Sequence, residues 1–418
     1  SRLVVSVFHG FVHIDVDPYV CSAGDFALPA NVVHIAGSNA SSSTSGFNTP
    51  KGIAADPTAV NRSVYVADSL NHVVRRVAYG TMSTVAGTVG DSTVMDTPED
   101  VAVSSDGASV FIAASGEHRV LRLFNRALTV LAGSGAPSTY DAVGEGASFW
   151  APKRLAMWRG PEVLFAAQYT AVRAVATSTG EVQTQAGNGT TQTAEMIDGP
   201  LGVNRGMPEE SGLAVDTTRG VVFFAHGQRA IRGAGLQSRV TTTYAGVDIA
   251  GYTDAVGPLA RFHSICGMAL APTGGYLLVS EPQHATHAPS ANRVRRLNLA
   301  SLAVDTVVYS SAGSATAPSS SAPTMSANFF GNWGLAFSRD GQELWLSAHH
   351  AVFAVSNVGT VSRPITKTPS VPPTGTATST VTTTPSASPS GTTTATVSAT
   401  ASASGATVSL TVSGATAS

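Results

Sequence analysis

Charge is scarce in this chain. Asp, Glu, Lys and Arg make up 12% of its 418 residues, and 24 basic side chains nearly balance 26 acidic ones. So few cations cannot form the broad positive surface that neutralises a nucleic-acid backbone. Cysteine is scarcer still: Cys21 and Cys266 are the only two, too few for a disulfide framework and without the CxxC spacing of a zinc site. Long apolar runs are missing as well. A bilayer span needs about 20 residues, and the nearest stretch, LVVSVFHGFVHIDV over 3–16, is broken by His9, His13 and Asp15. It reads as strand. There is no GxSxG elbow, no HExxH and no phosphate-cradling GxxxxGK[ST], so no familiar nucleophile, zinc or nucleotide motif organises the chain.

What the sequence does contain is repetition. VYVADSLNHVVRRV, from Val64, is two short alternating runs around a polar turn. The pattern returns in VFIAASGEHRVLRL from Val110, VLFAAQYTAVRAV from Val163 and VVFFAHGQRAIRG from Val221. Two more copies begin at Tyr276 and Glu343. Each is preceded by a short apolar run, GIAAD at Gly52, DVAVS at Asp100, RLAMW at Arg154, GLAVD at Gly212, GMALA at Gly267 and GLAFS at Gly334. Five are followed by a run ending in Ala-Gly, at Gly87, Gly133, Gly187, Gly246 and Gly313, which lie 46, 54, 59 and 67 residues apart. That spacing is close to the unit length of propeller blades.

Four short strands per unit make a sheet that cannot bury its faces alone, whereas six such sheets set radially bury them against one another. The expected fold is therefore all-β, a six-bladed β-propeller of four-stranded antiparallel blades over 31–358, with a 1–30 N-terminal extension. The sixth unit lacks its own Ala-Gly run, and an orphan run of that type, NVVHIAG at 31–37, precedes the first. Pairing the two would close the ring. The alternative uses 360–366 as the missing strand and places 1–37 in a seventh blade. From Thr368 onward there is no charged or aromatic residue, only Ser, Thr, Ala, Val, Pro, Gly and one Leu. Such a segment buries too little apolar area to offset its ordering entropy, so 359–418 is expected to be a disordered, mucin-like stalk or linker. Asn39, Asn61 and Asn188 stand in N-glycosylation sequons.

The residues then resemble the NHL-repeat propellers. The resemblance rests on the turns Asn71-His72-Val73-Val74, Glu117-His118-Arg119-Val120 and Asn292-Arg293-Val294, and on linkers such as Phe47-Asn48-Thr49-Pro50-Lys51-Gly52-Ile53. Asp141 to Pro152 and Asp254 to Phe262 carry the same linker pattern. A propeller of this kind places the residues that open each first strand around a central channel. The ligand site is accordingly expected at Lys51, Glu99, Lys153, Glu210 and Trp333, alternating charge beside an aromatic anchor, with Asp100 and Arg154 close by. Cys266 should stand at that mouth and Cys21 by the opposite face, unpaired.

Asp68 and the turn histidines admit three readings: a structural corner, a recognition surface, or a zinc site of His72, His118 and His349. Turn Asp and Asn side chains bond nearby backbone, which favours the corner. The functional expectation is a non-catalytic, extracellular or cell-surface propeller that binds a protein, peptide or glycan, as a monomer and without a cofactor or nucleic acid. Whether a signal peptide or a membrane anchor lies outside this chain is left open by the sequence. The alternative is a metal-dependent propeller enzyme, similar to amidating lyases or lactonases.

Overall fold

The computed structural model describes residues 2–7, 10–15, 31–37, 46–58, 63–78, 81–160, 162–169, 171–187, 196, 198–200, 212–227, 229–281, 292–310, 334–338, 343–348, 351–356, 379–382, 394–399 and 410–411. Two compact units divide the chain, Ser1–Arg363 and Pro364–Ser418. In the second, Ser379–Thr382 pairs with Thr394–Ala399, which pairs with Leu410–Thr411. In the first, Arg2–Val7 and Gly10–Asp15 form an antiparallel hairpin.

The repeats fold as four-stranded antiparallel blades. Blade 1 runs through Pro50–Ala55, Ser63–Asp68, Val73–Ala78 and Thr81–Gly87. Blade 2 comprises Pro98–Val103, Ser109–Ala114, Arg119–Phe124 and Ala127–Ala132. Blade 3 comprises Arg154–Trp158, Val163–Gln168, Ala171–Ala176 and Val182–Gly187. Blade 4 holds Leu213–Asp216, Val221–His226, Ala230–Gly235 and Thr241–Gly246. Blade 5 holds Gly267–Leu270, Tyr276–Glu281, Asn292–Asn298 and Val304–Ser310.

The contiguous blade thus occurs five times, not the six expected from the repeat. The remaining four-stranded sheet is composite: Leu335–Phe337, Glu343–Ala348 and Ala351–Ser356 are completed by Asn31–Gly37 from the other end of the unit. Its register runs from Ala351 opposite Gly37 to Ser356 opposite Asn31. This pairing replaces the alternative in which 360–366 supply the outer strand. The physical reason is shared geometry. In every one of these sheets the outer pairing bulges near the start of the third strand, after its second residue between Val74 and Arg75 and likewise between Val352 and Phe353, and after its third in blade 5, between Val294 and Arg295.

The apolar core lies between blades. One cluster joins blades 1 and 2 through Val74, Val101 and Ile112, and another joins blades 2 and 3 through Phe111, Phe149 and Leu164. Phe165, Val172 and Phe224 join blades 3 and 4, and Phe223, Phe262 and Leu277 join blades 4 and 5. The composite sheet packs on blade 1 through Trp345, Val352, Phe47 and Ile53, and meets blade 5 where Tyr276 and Phe337 lie edge to face at 6.3 Å. The faces that a lone meander would expose are all covered this way.

Strand sequences follow from position in the blade. The second strand of blade 2, SVFIAA, is buried at every residue, whereas its fourth strand, ALTVLA, has a half-exposed run. Small and β-branched residues fill the first kind, and threonine and serine enter the second. The recurring Ala-Gly also has a cause. Gly87, Gly187 and Gly246 close their strands at φ of 79°, 85° and 82°. A Cβ at Gly87 would stand 2.4 Å from the His72 carbonyl oxygen and one at Gly246 2.3 Å from that of Arg229. Only glycine fits there.

Candidate functional site

Asp68, in the opening copy of the repeat, is a corner. Its carboxylate is fully buried and accepts hydrogen bonds from the Asn48 amide (2.7 Å), Asn71 Nδ2 (2.8 Å) and Arg75 Nε (3.0 Å). Burial pushes its pKa up, against these donors. The same position at the end of the second strand is Gln168 in blade 3 and Glu281 in blade 5. Gln168 accepts from the Trp150 amide and Arg173, and Glu281 from the His263 amide and Arg295. In blades 1, 3 and 5 this acceptor therefore ties the incoming linker to the third strand. In blade 4 the position is His226, whose pKa falls to about 4, mainly through burial and then through Arg232.

His72 and His118 fasten neighbouring blades. Both sit in left-handed backbone, at φ 56° and 57°. His72 Nδ1 accepts from the Thr97 amide at 3.3 Å and His118 Nδ1 from the Ala151 amide at 3.0 Å, each on the next blade's linker. Among the described residues no group of three His, Cys, Asp or Glu is placed to hold a metal ion. His349 lies outside the described residues, as do Glu210, Trp333, Cys21 and the sequon residues Asn39, Asn61 and Asn188.

The three remaining mouth residues converge. Lys51, Glu99 and Lys153 each follow a proline and open the first strand of blades 1, 2 and 3. Register breaks after Pro50 and Pro98 give Lys51 and Glu99 the extra residue of a bulge, a device that re-aims side chains. Lys51 Nζ donates to Glu99 Oε1 at 2.5 Å and Lys153 Nζ to the same oxygen at 3.2 Å. Burial alone would raise the Glu99 pKa, but the two ammonium groups outweigh it and hold the carboxyl below its ordinary range. The lysines keep partial exposure, 15% and 21% of their side chains against 4% for Glu99.

One residue further in, the first strands approach the axis. Gly52, Gly212, Gly267 and Gly334 occupy this level in four sheets, and Asp100 and Arg154 in blades 2 and 3. Glycine leaves the room the two charged side chains use: a Cβ at Gly52 would lie 1.8 Å from Asp100 Oδ1. Asp100 accepts from the Val101 and Leu155 amides, both at 2.8 Å. Its pKa rises to about 6 because burial outweighs the pull of Arg154. Arg154 spans the neck, with Nε donating to the Cys266 carbonyl at 3.1 Å and Nη1 to the Glu99 carbonyl at 3.3 Å. Cys266, expected at the mouth, is buried with its thiol 3.8 Å from Ser264 Oγ.

Asp100 and Arg154 line a cavity of about 40 Å³ that touches the first strand of all six sheets. Beyond it, the opposite ends of the first strands, including Ala55, Val103, Arg159 and Asp216, line a larger cavity of about 420 Å³. The channel thus has a charged mouth, a narrow ionic neck and a wider vestibule of mixed polarity.

Sequence reasoning missed a set of buried arginines. Arg173, Arg232 and Arg295 each reach an aspartate in the linker, Asp141, Asp198 or Asp254, at 2.5, 2.9 and 2.7 Å. The amide and hydroxyl of Thr184, Thr243 or Thr306 on the fourth strand donate to the same aspartate. The signal was present as Val-Arg or Ile-Arg at the bulge, in Val74-Arg75, Val172-Arg173, Ile231-Arg232 and Val294-Arg295.

No protein-family model matches the chain, and no curated protein matches it by sequence. Solved structures do. A structural-genomics protein of unknown function from Bacteroides thetaiotaomicron superposes with a TM-score of 0.56 at 15% identity, covering 78% of this chain and 76% of that one. An auxiliary nutrient binding protein from the same organism gives 0.52 at 13% identity, over 78% and 76%. A gluconolactonase from Xanthomonas campestris gives 0.50 at 11% identity, over 81% of this chain and 96% of that one. At such identities the likeness is one of fold, and the fold is a β-propeller of four-stranded antiparallel blades.

Proposed function

We propose that the channel mouth is a recognition site for a polar partner, a protein, peptide or glycan, and that the propeller acts by binding and not by catalysis. The observation that carries this reading is the Lys51–Glu99–Lys153 cluster on the rim, where three blades bring two donors and a carboxylate to one place. Partly exposed ammonium groups around a carboxylate can exchange their mutual hydrogen bonds for those of hydroxyls, amides or acids. Neighbours named as nutrient binding proteins support a binding role on this fold. Glu210 and Trp333 belong to the same proposed rim.

We further infer an NHL-type propeller joined to a mucin-like stalk, exposed outside the cell or on its surface. The tail composition supports it. The metal-dependent alternative loses support at His72 and His118, whose Nδ1 atoms already accept backbone amides.

Glycan and peptide arrays probed with the full chain test the reading, alongside Lys51→Ala and Lys153→Ala variants. Saturable binding that both substitutions weaken at least about tenfold, roughly one lost charge-assisted contact each, is the expected result. Binding unaffected by either substitution would move the site off the mouth. Stoichiometric zinc in the purified protein, lost in the His72→Ala/His118→Ala double variant, would restore the enzyme reading.

A further inference from the structure

Among the described residues five arginines are at least nine-tenths buried: Arg75, Arg154, Arg173, Arg232 and Arg295. Buried guanidinium groups are nearly always paired, because an isolated charge loses several kcal/mol of hydration without compensation. Four of the five conform, with a carboxylate within 3.0 Å. Arg154 does not. It is 4% exposed, no carboxylate oxygen among the described residues lies within ion-pair distance, and its Nη2 is buried without a hydrogen-bond partner. Its two bonds go to main-chain carbonyls, those of Cys266 and Glu99.

The same residue lines the 40 Å³ neck cavity. A water needs roughly 10–15 Å³ by this kind of measure, so the neck has room for a few waters or for one small planar group. Among the described residues, the two carboxylates beside Arg154 are already engaged. Glu99 is already shared between the two lysines, and Asp100 is turned onto the Val101 and Leu155 amides. Guanidinium is the side chain best matched to a carboxylate.

We propose that the channel neck is a carboxylate-binding site in which Arg154 Nη2 anchors the acid group of the ligand and Lys51 and Lys153 hold the ligand's body at the rim. The proposal rests on the reading of the mouth as the binding face and narrows its partner to one bearing an accessible carboxylate, such as an acidic sugar or a peptide C-terminus. Asp100 opposes the incoming charge when ionised. Its own pKa near 6 lets it take up a proton and relieve that repulsion. The charged groups it faces are Arg154 and Glu99, with Lys51 and Lys153 beyond Glu99.

Calorimetric titration of the full chain with sodium acetate, in a buffer free of chloride and carboxylates, tests this directly, with acetamide as the uncharged match. Acetate should bind one site saturably and acetamide should not. Arg154→Lys keeps the charge but loses the planar fork and should weaken acetate about tenfold or more. Asp100→Asn should tighten it about tenfold near pH 8 by removing a nearby like charge. No saturable acetate binding, or an acetate affinity unchanged in both variants, overturns the proposal. Chloride competing as well as acetate would overturn the carboxylate assignment. Should Arg154→Lys fail to fold by circular dichroism, Asp100→Asn decides, and an unchanged affinity there counts against it. A neutral glycan that binds in a Lys51-dependent way while acetate does not would sink this proposal and leave the mouth reading standing. Acetate binding at Arg154 with no array ligand would do the reverse.

Discussion

Two sets of buried charges run through this propeller, and they are built differently. Out in the blades, arginines on the third strand meet carboxylates from the second strand or the linker. In blade 5 Arg295 reaches both Glu281 and Asp254, at 2.8 and 2.7 Å. At the neck, Arg154 and Asp100 share a cavity without touching, and each satisfies itself on backbone groups instead. The outer clasps are closed circuits that hold linker, third strand and fourth strand in register. The neck is left electrostatically open, which is the arrangement expected where an outside group completes the set. Closed and open ionic groups are therefore separated by radius.

The largest test of that contrast removes one side of a closed clasp. Glu281→Ala should cost about 2–3 kcal/mol, because it takes the buried one of two carboxylates from a fully buried guanidinium, leaving Asp254, and orphans the His263 amide, and a shifted urea midpoint would show it. A loss as small as that of a surface pair would mean the clasps are ornamental. Asp100→Asn should act the other way: it sets an NH2 against one of the two backbone amides, a loss at every pH, but gains about 1–2 kcal/mol near neutral pH relative to pH 4, because the carboxyl's raised pKa reflects a cost of ionising it in place. That cost is present above about pH 6, where the folded group is ionised, and fades as pH falls toward the ordinary 3.8. The gain in melting temperature should therefore vanish near pH 4, and a gain that persisted there would contradict the assignment.

His226 has the opposite sign. Its pKa is near 4 in the fold against 6.5 normally, so the unfolded chain takes up the proton first. Its neutral burial stabilises fully above about pH 6.5 and loses that contribution as pH drops toward 4. His226→Gln should recover about 1 kcal/mol of the acid loss, read as a flatter melting-temperature profile between pH 7 and 5. The smallest stability effect belongs to the mouth. Lys51→Ala removes a partly exposed pair and should change stability by less than about 1 kcal/mol, while its effect on ligand binding should dominate.

Much of this was legible in the sequence. The repeat of paired runs gave the blades, because four short strands with one half-exposed edge must hide their faces on neighbours. The orphan NVVHIAG run pointed to the composite sheet as one of two closures, and its pairing with Ala351–Ser356 decided between them. Lys51, Glu99 and Lys153 were legible as rim residues from their place before each first strand. The turn residues were less so. Asp68 and His72 share a pentapeptide, yet Asp68 faces inward to Arg75 and Asn48 while His72 reaches across to the next blade's Thr97. Nothing in the local sequence separates those directions, since both depend on a left-handed residue at the corner and on where the neighbouring linker runs.

The sequence by itself determined the repeating unit, its four strands and its glycine-closed ends, because period-two burial and the left-handed requirement act over a few residues. Only the tertiary structure decided that Gly52, Asp100, Arg154 and Gly334 meet about one axis. It alone decided which arginines find a carboxylate and which does not. Those outcomes depend on closing the ring, which brings together residues tens to hundreds of positions apart, and no local rule of chain geometry encodes such a meeting.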